Sequence, residues 1–405
     1  MRFFVTACLT FATALAFAQR KPETPNNDLK LSTIPYYSFG KGIGITSPDS
    51  LFQMNIRFRM QNRVTYLDEE DEKPAYDGQI RRLRLRFDGY VGSPKFLYAI
   101  QLSFAPGDVG EVQEGENINI IRDAVVFYRP SAKWSLSFGQ TKLPGNRQRI
   151  NSSGALQLTD RTINNARFTI DRDFGFQAHY LNEKLGKPSY NLKAALSTGE
   201  GRNVTNGSDD GVAITGKVEL FPFGAFQRDG TNFEGDLVRE AKPKLLLSGA
   251  FQQNNLAKRT QGQLGDDLFA PRTMRSVLLD AMLKYNGFSL MSSYMSRSTS
   301  DTPITVNPLD ATDIRYVVVG NGFDYQMSYL FRNDFELIGR YSIQKLGSEI
   351  KAFLPTTKEY SFGVTKYLRE HAFKLQAEIN YDDLDFADGS NRRNWYLRLQ
   401  VEMGI

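Results

Sequence analysis

Phe52-Gln53-Met54-Asn55-Ile56-Arg57-Phe58-Arg59-Met60-Gln61 decides the fold, because every even-numbered residue is apolar and every odd-numbered one is polar. Arg82-Leu83-Arg84-Leu85-Arg86-Phe87 repeats the alternation with arginine on the polar side. A period of two gives a strand one dry face and one wet face. A wet face made of arginines does not suit a sandwich core. A membrane barrel, apolar outside and water-filled inside, accommodates both faces.

The start of the chain reads as a secretory signal. Arg2 is followed by the uncharged apolar run Phe3 to Leu15 and by Ala16-Phe17-Ala18, an A-x-A cleavage site. The run is shorter than the roughly 20 apolar residues of a spanning helix. Cleavage after Ala18 removes Cys8, the single cysteine of the chain, so the mature protein owes no stability to disulfides. Mean hydropathy is −0.41 and no helical transmembrane segment follows the signal, which argues against a helical membrane protein. Outer-membrane barrels share this mildly polar balance because half of each strand faces water. Aromatic residues at 12% suit two interfacial girdles. A net charge of +5, spread along 405 residues, gives no footprint for nucleic acid.

The expected organisation is a signal peptide over 1–18, a polar leader over 19–50 and a β-barrel over 51–405. Sixteen strand-like segments can be marked, from 51–66 and 79–92 through 133–143, 168–181 and 315–330 to 394–404. Sustained helical stripes with caps are nearly absent. Alternate connections are tight, as at Gly92-Ser93-Pro94, Asn286-Gly287 and Arg332-Asn333. The others are longer and polar, as at Asp68 to Gly78, Ala105 to Ile118 and Pro144 to Arg167. This parity matches short periplasmic turns and long outer loops. Phe223 to Pro243 departs from it, being long and charged where a short turn is expected. The alternating segment Trp395 to Met403 runs to the end of the sequence and is placed to close a barrel against the first strand.

Several stretches together resemble the phosphate-selective porin O and P family. They are Arg122-Asp123-Ala124, Gly139-Gln140-Thr141-Lys142-Leu143-Pro144 and Asp171-Arg172-Asp173-Phe174-Gly175, then Gly320 to Gln326 with Tyr329, Gly339-Arg340-Tyr341 and His371 to Gln376. Glu234-Gly235-Asp236-Leu237 is similar to a longer segment in branches of the family. The order and spacing of these motifs carry the likeness. It implies an all-β, sixteen-stranded outer-membrane barrel, usually a trimer, whose third outer loop folds inward and narrows an anion-selective pore.

Alternation alone assigns the faces. Gln53, Asn55, Arg57, Arg59, Gln61 and Arg63 point inward on the first strand, and Arg82, Arg84, Arg86 and Asp88 on the second. The closing strand adds Arg398 and Glu402. The expected anion pathway is therefore Arg57, Arg59, Arg63, Arg82, Arg84, Arg86 and Arg398. Arginine stays ionised and offers a fixed fork of donors to phosphate or carboxylate. The same arginines could instead brace the wall against Asp88, Glu402 and acidic loop residues. Lys142, Arg147, Arg149, Arg161 and Arg167 stand in or beside the third outer loop with one acid, Asp160; by the resemblance, Arg147 and Arg149 would lie near the constriction. Lys142 could face the pore or anchor the loop. Arg172, between Asp171 and Asp173, reads as structural. The acids Asp68 to Glu72 read as a solvated tip that binds divalent cations bridging lipopolysaccharide.

Nothing points to catalysis. His179 and His371 lack serine and acid partners at triad spacing. There is no Cys/His metal cluster and no phosphate-cradling glycine loop, and no cofactor is expected. Asp209-Asp210 and Asp382-Asp383 are turn residues with a weak calcium alternative. The sequence reads as a porin passing small anions, phosphate among them, as a homotrimer in outer-membrane lipid and lipopolysaccharide. The alternative is a non-selective or closed barrel that binds a surface ligand or periplasmic partner.

Overall fold

Strand pairing converts the two-residue period into a closed wall. The computed structural model describes residues 42–70, 72–110, 119–204 and 211–405. The expected signal peptide, the leader as far as residue 41, Asp71 and Asp209-Asp210 lie outside them. A short strand β1 (Ile43–Thr46) comes first, followed by β2 (Phe52–Glu69), β3 (Ala75–Val91), β4 (Ser93–Ser103), β5 (Ile121–Tyr128), β6 (Trp134–Lys142) and β7 (Arg172–Asn182). Next are β8 (Ser189–Ser197), β9 (Ala213–Phe221), β10 (Lys244–Arg259), β11 (Asp267–Tyr285) and β12 (Phe288–Thr299). The hairpin β13 (Ile304–Asn307) and β14 (Asp310–Tyr316) forms a separate two-stranded sheet. The last strands are β15 (Gly320–Leu330), β16 (Phe335–Leu346), β17 (Thr356–Arg369), β18 (Phe373–Asp385) and β19 (Asn391–Gly404).

From β2 to β19, leaving out the hairpin, each strand pairs antiparallel with the next. β19 then pairs with β2, from Asn394 opposite Glu69 to Gly404 opposite Arg59. The result is a closed antiparallel barrel of sixteen strands. Where β19 runs out, β1 covers the remaining edge of β2, with Ile43 opposite Ile56 and Thr46 opposite Gln53. The sheet thus begins inside the stretch that composition marks as leader.

Burial is inverted relative to a water-soluble protein. Along β9, Ile214, Val218 and Leu220 are exposed while Lys217 and Glu219 are buried; Ile214 is 57% exposed and Glu219 only 1%. β2 shows the same sense, with Phe58 and Val64 exposed and Gln61 and Arg63 buried. In hydrocarbon this arrangement satisfies every backbone group within the wall and presents apolar side chains to lipid. Outward aromatics cluster toward both ends. Phe96 stacks on Tyr128 and Trp134 meets Tyr180 near the tight turns, while Tyr66 meets Tyr76 and Trp395 near the long loops.

Turn chemistry follows the sequence closely at Asn286-Gly287, where φ is 47° and 89°. Both residues adopt the left-handed conformation that joins two twisted strands in a two-residue hairpin. Elsewhere the boundaries move. β2 runs on to Glu69 and β3 already begins at Ala75, leaving little of the expected long first loop. The 168–181 segment starts late, at Arg172, because Ile163–Phe168 forms a helical turn whose N-cap, Thr162, accepts a hydrogen bond from Asn165 N. The 315–330 segment divides into β14 and β15 at Val317–Val319, which pack in the apolar cluster with Phe168, Ile170 and Leu346.

Leu279, 48% exposed on β11, should tolerate charge poorly if that face meets lipid. Leu279→Arg is expected to cost up to about 2–4 kcal/mol in a bilayer unfolding titration, falling toward the interfaces. A cost near zero would place this face in water.

Candidate functional site

The inward positions of β2, β3 and β19 gather the arginines on one wall. A register shift pairs Gln61 with Arg82 but Asn62 with Ile80, so Arg81 is an extra residue on β3. Such a bulge re-aims a side chain, and Arg81 joins Arg82 on the luminal side, where both reach Asp160. Arg57 and Arg86 pair with Asp88 at 3.3 and 3.0 Å. Arg84 and Arg122 converge on Asp108 at 2.6 and 2.8 Å. Arg59 donates to the hydroxyls of Ser152 and Ser153 and lies 3.8 Å from Glu402. Asp160 takes Arg81 at 2.8 Å, Arg82 at 3.0 Å, Arg398 at 3.9 Å and also Arg63.

These arginines are ion-paired, yet among the described residues they outnumber the carboxylates they meet. Nine arginines (57, 59, 63, 81, 82, 84, 86, 122 and 398) meet Asp88, Asp108 and Asp160, with Glu378 and Glu402 at the edge. One carboxylate shared by four guanidiniums leaves a positive field around it. The Asp160 carboxyl sits within that field. Burial pushes its pKa up, but Arg82, Arg81 and Arg63 together hold it well below the usual carboxylate range. Asp108 is likewise held low, with Arg84 and Arg122 overcoming burial.

The connection between β6 and β7 lies against inward side chains on nearly every side. Lys142 ends β6 and donates to the carbonyls of Ile150 and Asn151 at 2.8 and 3.0 Å, so it anchors the loop. Arg147 pairs with Glu219 of β9 at 3.2 Å, and its N–H donates to Asp280 of β11. Arg149 makes a two-pronged contact with Asp171. Arg161 donates to the carbonyls of Gln148 and Asn151, at 2.8 and 3.0 Å. Burial lowers its pKa first, and Arg149 and Arg82 lower it further. The loop then reaches the far wall. Thr159 bonds Glu378, while Thr162 and Asn164 bond Asp324. Asn164 fits there because Gly322 has no side chain; a Cβ would stand 1.9 Å from its Oδ1.

The anomalous Phe223 to Pro243 segment also turns inward. Lys284, an inward residue of β11, donates to the carbonyls of Gly230, Phe233 and Gly235. Ser289 of β12 donates to the Glu234 carbonyl, and Gly235 packs beside Glu336 of β16. Phe233 stacks on His371 at 4.9 Å. Sequence spacing showed that this segment breaks the parity of the connections, but not where it goes.

His179 faces inward beside Gln177 at 3.2 Å, and burial lowers the His371 pKa well below normal, helped by Lys374 and Lys284. Among the described residues no cluster of three metal-ligating side chains is found. Alternation missed Arg81, whose Arg81-Arg82 doublet was the available signal. Arg122 was noted only as a family motif. Arg172 pairs with Asp123 at 3.0 Å, in keeping with a structural role, and also approaches Asp171.

Two outcomes follow from this geometry. Gly322→Ala should push Asn164 off Asp324 and cost about 1–3 kcal/mol in urea unfolding of the refolded protein. An unchanged midpoint would show that the loop is not seated by that contact. Depressed carboxyl pKa values stabilise the docked loop at every pH above the ordinary carboxylate range, about pH 4, and fail only below it. Asp108, Asp160 and Asp171 are all held low, so the carboxyl carbon NMR shifts of these three residues should stay level from pH 7 to pH 5. A step within that window would contradict the assignment.

Comparison with known proteins agrees with the barrel. At 14% identity, OmpF of Salmonella typhi, solved with daunomycin, superposes with a TM-score of 0.55 over 90% of this chain and 100% of that one. The outer-membrane channel DcaP of Acinetobacter baumannii gives 0.54 at 14% identity, over 89% and 99%. An anion-selective porin from Comamonas acidovorans gives 0.53 at 12% identity, over 86% and 99%. These likenesses concern the fold. No curated protein matches the chain significantly. The model of the phosphate-selective porin O and P family matches residues 52–297, so the chain belongs to that family of outer-membrane porins.

Proposed function

We propose that the protein passes small anions, phosphate among them, by passive diffusion along the arginine wall. The observation that carries this reading is the surplus, among the described residues, of guanidiniums over carboxylates along β2, β3, β5 and β19. An anion entering the lumen exchanges part of its hydration shell for arginine donors, while a cation meets an opposing field. Because those arginines already share Asp88, Asp108 and Asp160, each binds an anion weakly. Weak sites in series permit transit rather than capture.

The proposed constriction is formed by the β6–β7 loop, with Arg149 and Arg161 on it and Arg59, Arg82 and Arg84 across from it. Lys142 and Arg147 hold the loop from behind. Family membership and the description of the Comamonas acidovorans protein as anion-selective support the preference for anions. Export by cleavage after Ala18 and assembly as a homotrimer complete the proposal. A closed scaffold barrel is the second reading, favoured by the two inserts that enter the lumen.

Planar-bilayer recording in a KCl gradient separates them. The protein should conduct, with a reversal potential on the chloride side. Replacing Arg57, Arg59 and Arg84 together by alanine should lower the chloride-over-potassium permeability ratio several-fold, because the wall loses three of its cations. A conducting barrel with an unchanged ratio would make those arginines braces only. A silent barrel would establish the scaffold.

A further inference from the structure

Glu234 stands where the two inserts meet. It lies in the connection between β9 and β10, at the tight-turn end of the barrel, yet its side chain contacts the loop that arrives from the opposite end. Its carboxylate accepts from Gln148 Nε2 at 3.1 Å, from the Gln157 backbone N–H at 3.0 Å and from Gln326 Nε2 at 3.0 Å. Its own N–H donates to Ala155 O at 3.3 Å. The residue is 1% exposed. A carboxylate taken out of water gains from several donors and becomes costly when they leave.

Gln148 is the more consequential partner. Its Oε1 accepts from Thr162 N at 3.0 Å, and its carbonyl accepts from Arg161 Nε at 2.8 Å. One glutamine therefore joins the outgoing arm of the loop to the returning arm that carries Arg161. Gln157, on the loop between them, is fixed on its other side by Ser328 and Glu336 of the far wall. The insert itself is held rigid by Lys284 through three carbonyls and by Ser289.

We infer that Glu234 is a positioning residue for the pore: through Gln148 it sets where Arg161 sits, so the tight-turn end of the barrel determines the anion preference of a constriction built from the other end. This rests on the anion-pore reading for its effect on selectivity, but the mechanical link does not.

The test uses the full-length protein refolded into detergent and bilayers, with Glu234→Ala, Gln148→Met and the double variant. Glu234→Ala leaves amide donors unpaired, whereas Gln148→Met removes the side-chain bonds to Glu234 and Thr162 with little change of volume, leaves the Gln148 carbonyl in place for Arg161, and keeps the test open if the first variant fails to fold. Hydrogen exchange of the backbone amides of 146–164 should accelerate about tenfold or more in each single variant, the scale expected on losing hydrogen bonds to a charged group. Both should move the chloride-over-potassium ratio in the same direction. The double variant should go no further than the larger single effect, since the two residues act in series. Unchanged exchange in both singles, or additive effects in the double variant, overturns the inference. Faster exchange in the variants, together with a wild-type protein that shows no anion preference, would leave the link standing and sink the anion-pore reading instead.

Discussion

In hydrocarbon there is no water to take a backbone N–H or C=O, and the rest of this structure depends on that constraint. A sheet can meet it only by closing on itself, which β19 does by pairing with β2 over Asn394–Gly404. Closure fixes the two faces, and with them the chemistry each can carry. The outer face must be apolar, so polar residues along each strand are driven into the lumen. The small gap left below Gly404 is filled by β1, whose Ile43 and Ile45 continue the apolar exterior. Even a few unpaired groups at the edge of β2 have been covered.

Inversion creates a second problem inside. Sixteen strands enclose a lumen lined by ionisable side chains, and a wall rich in one sign repels itself. Asp88, Asp108 and Asp160 relieve that repulsion at three heights along the basic wall. They differ in origin. Asp88 belongs to the wall, while Asp108 and Asp160 are brought by loops. The loops are therefore held by the field that they partly neutralise. This reconciles the two roles open to the arginines, because a guanidinium shared with a carboxylate still contributes to the local potential. On the proposed reading, bracing and selection are properties of one arrangement.

How much was legible depends on whether a feature is local. The alternation at Phe52–Gln61 assigns every inward side chain of the lower half of β2, since strand geometry leaves no freedom once the period is known. The tight turn at Asn286-Gly287 is equally local. Arg81 was lost because a bulge is a mismatch between two strands, and neither strand alone records it. The same holds for Asp160, which the sequence shows as a lone acid in a basic loop. Its role as the partner of Arg63, Arg81, Arg82 and Arg398 arises only when β2, β3 and β19 become neighbours. Phe223 to Pro243 marks the limit most clearly. Its length was visible, but its inward course depends on Lys284 and Ser289, which are distant in sequence.

Contacts of this kind have a cost in assembly. Glu234 and Gln148 are 86 residues apart, and Thr159 reaches Glu378 across 219. Such links can form only after much of the chain is in place, because the entropy of closing long loops must be met before the contacts reward it. The wall, whose strands are mostly sequential neighbours, carries no such requirement. A barrel that closes first and then admits its two inserts from opposite ends gives each insert a preformed polar surface to dock on. The buried carboxylates of Glu234, Asp324 and Glu378 then find donors already arranged, rather than being stranded while the sheet is still open. On that order of events the β6–β7 loop is the last element to be fixed, held by contacts to the wall and to the tight-turn insert together.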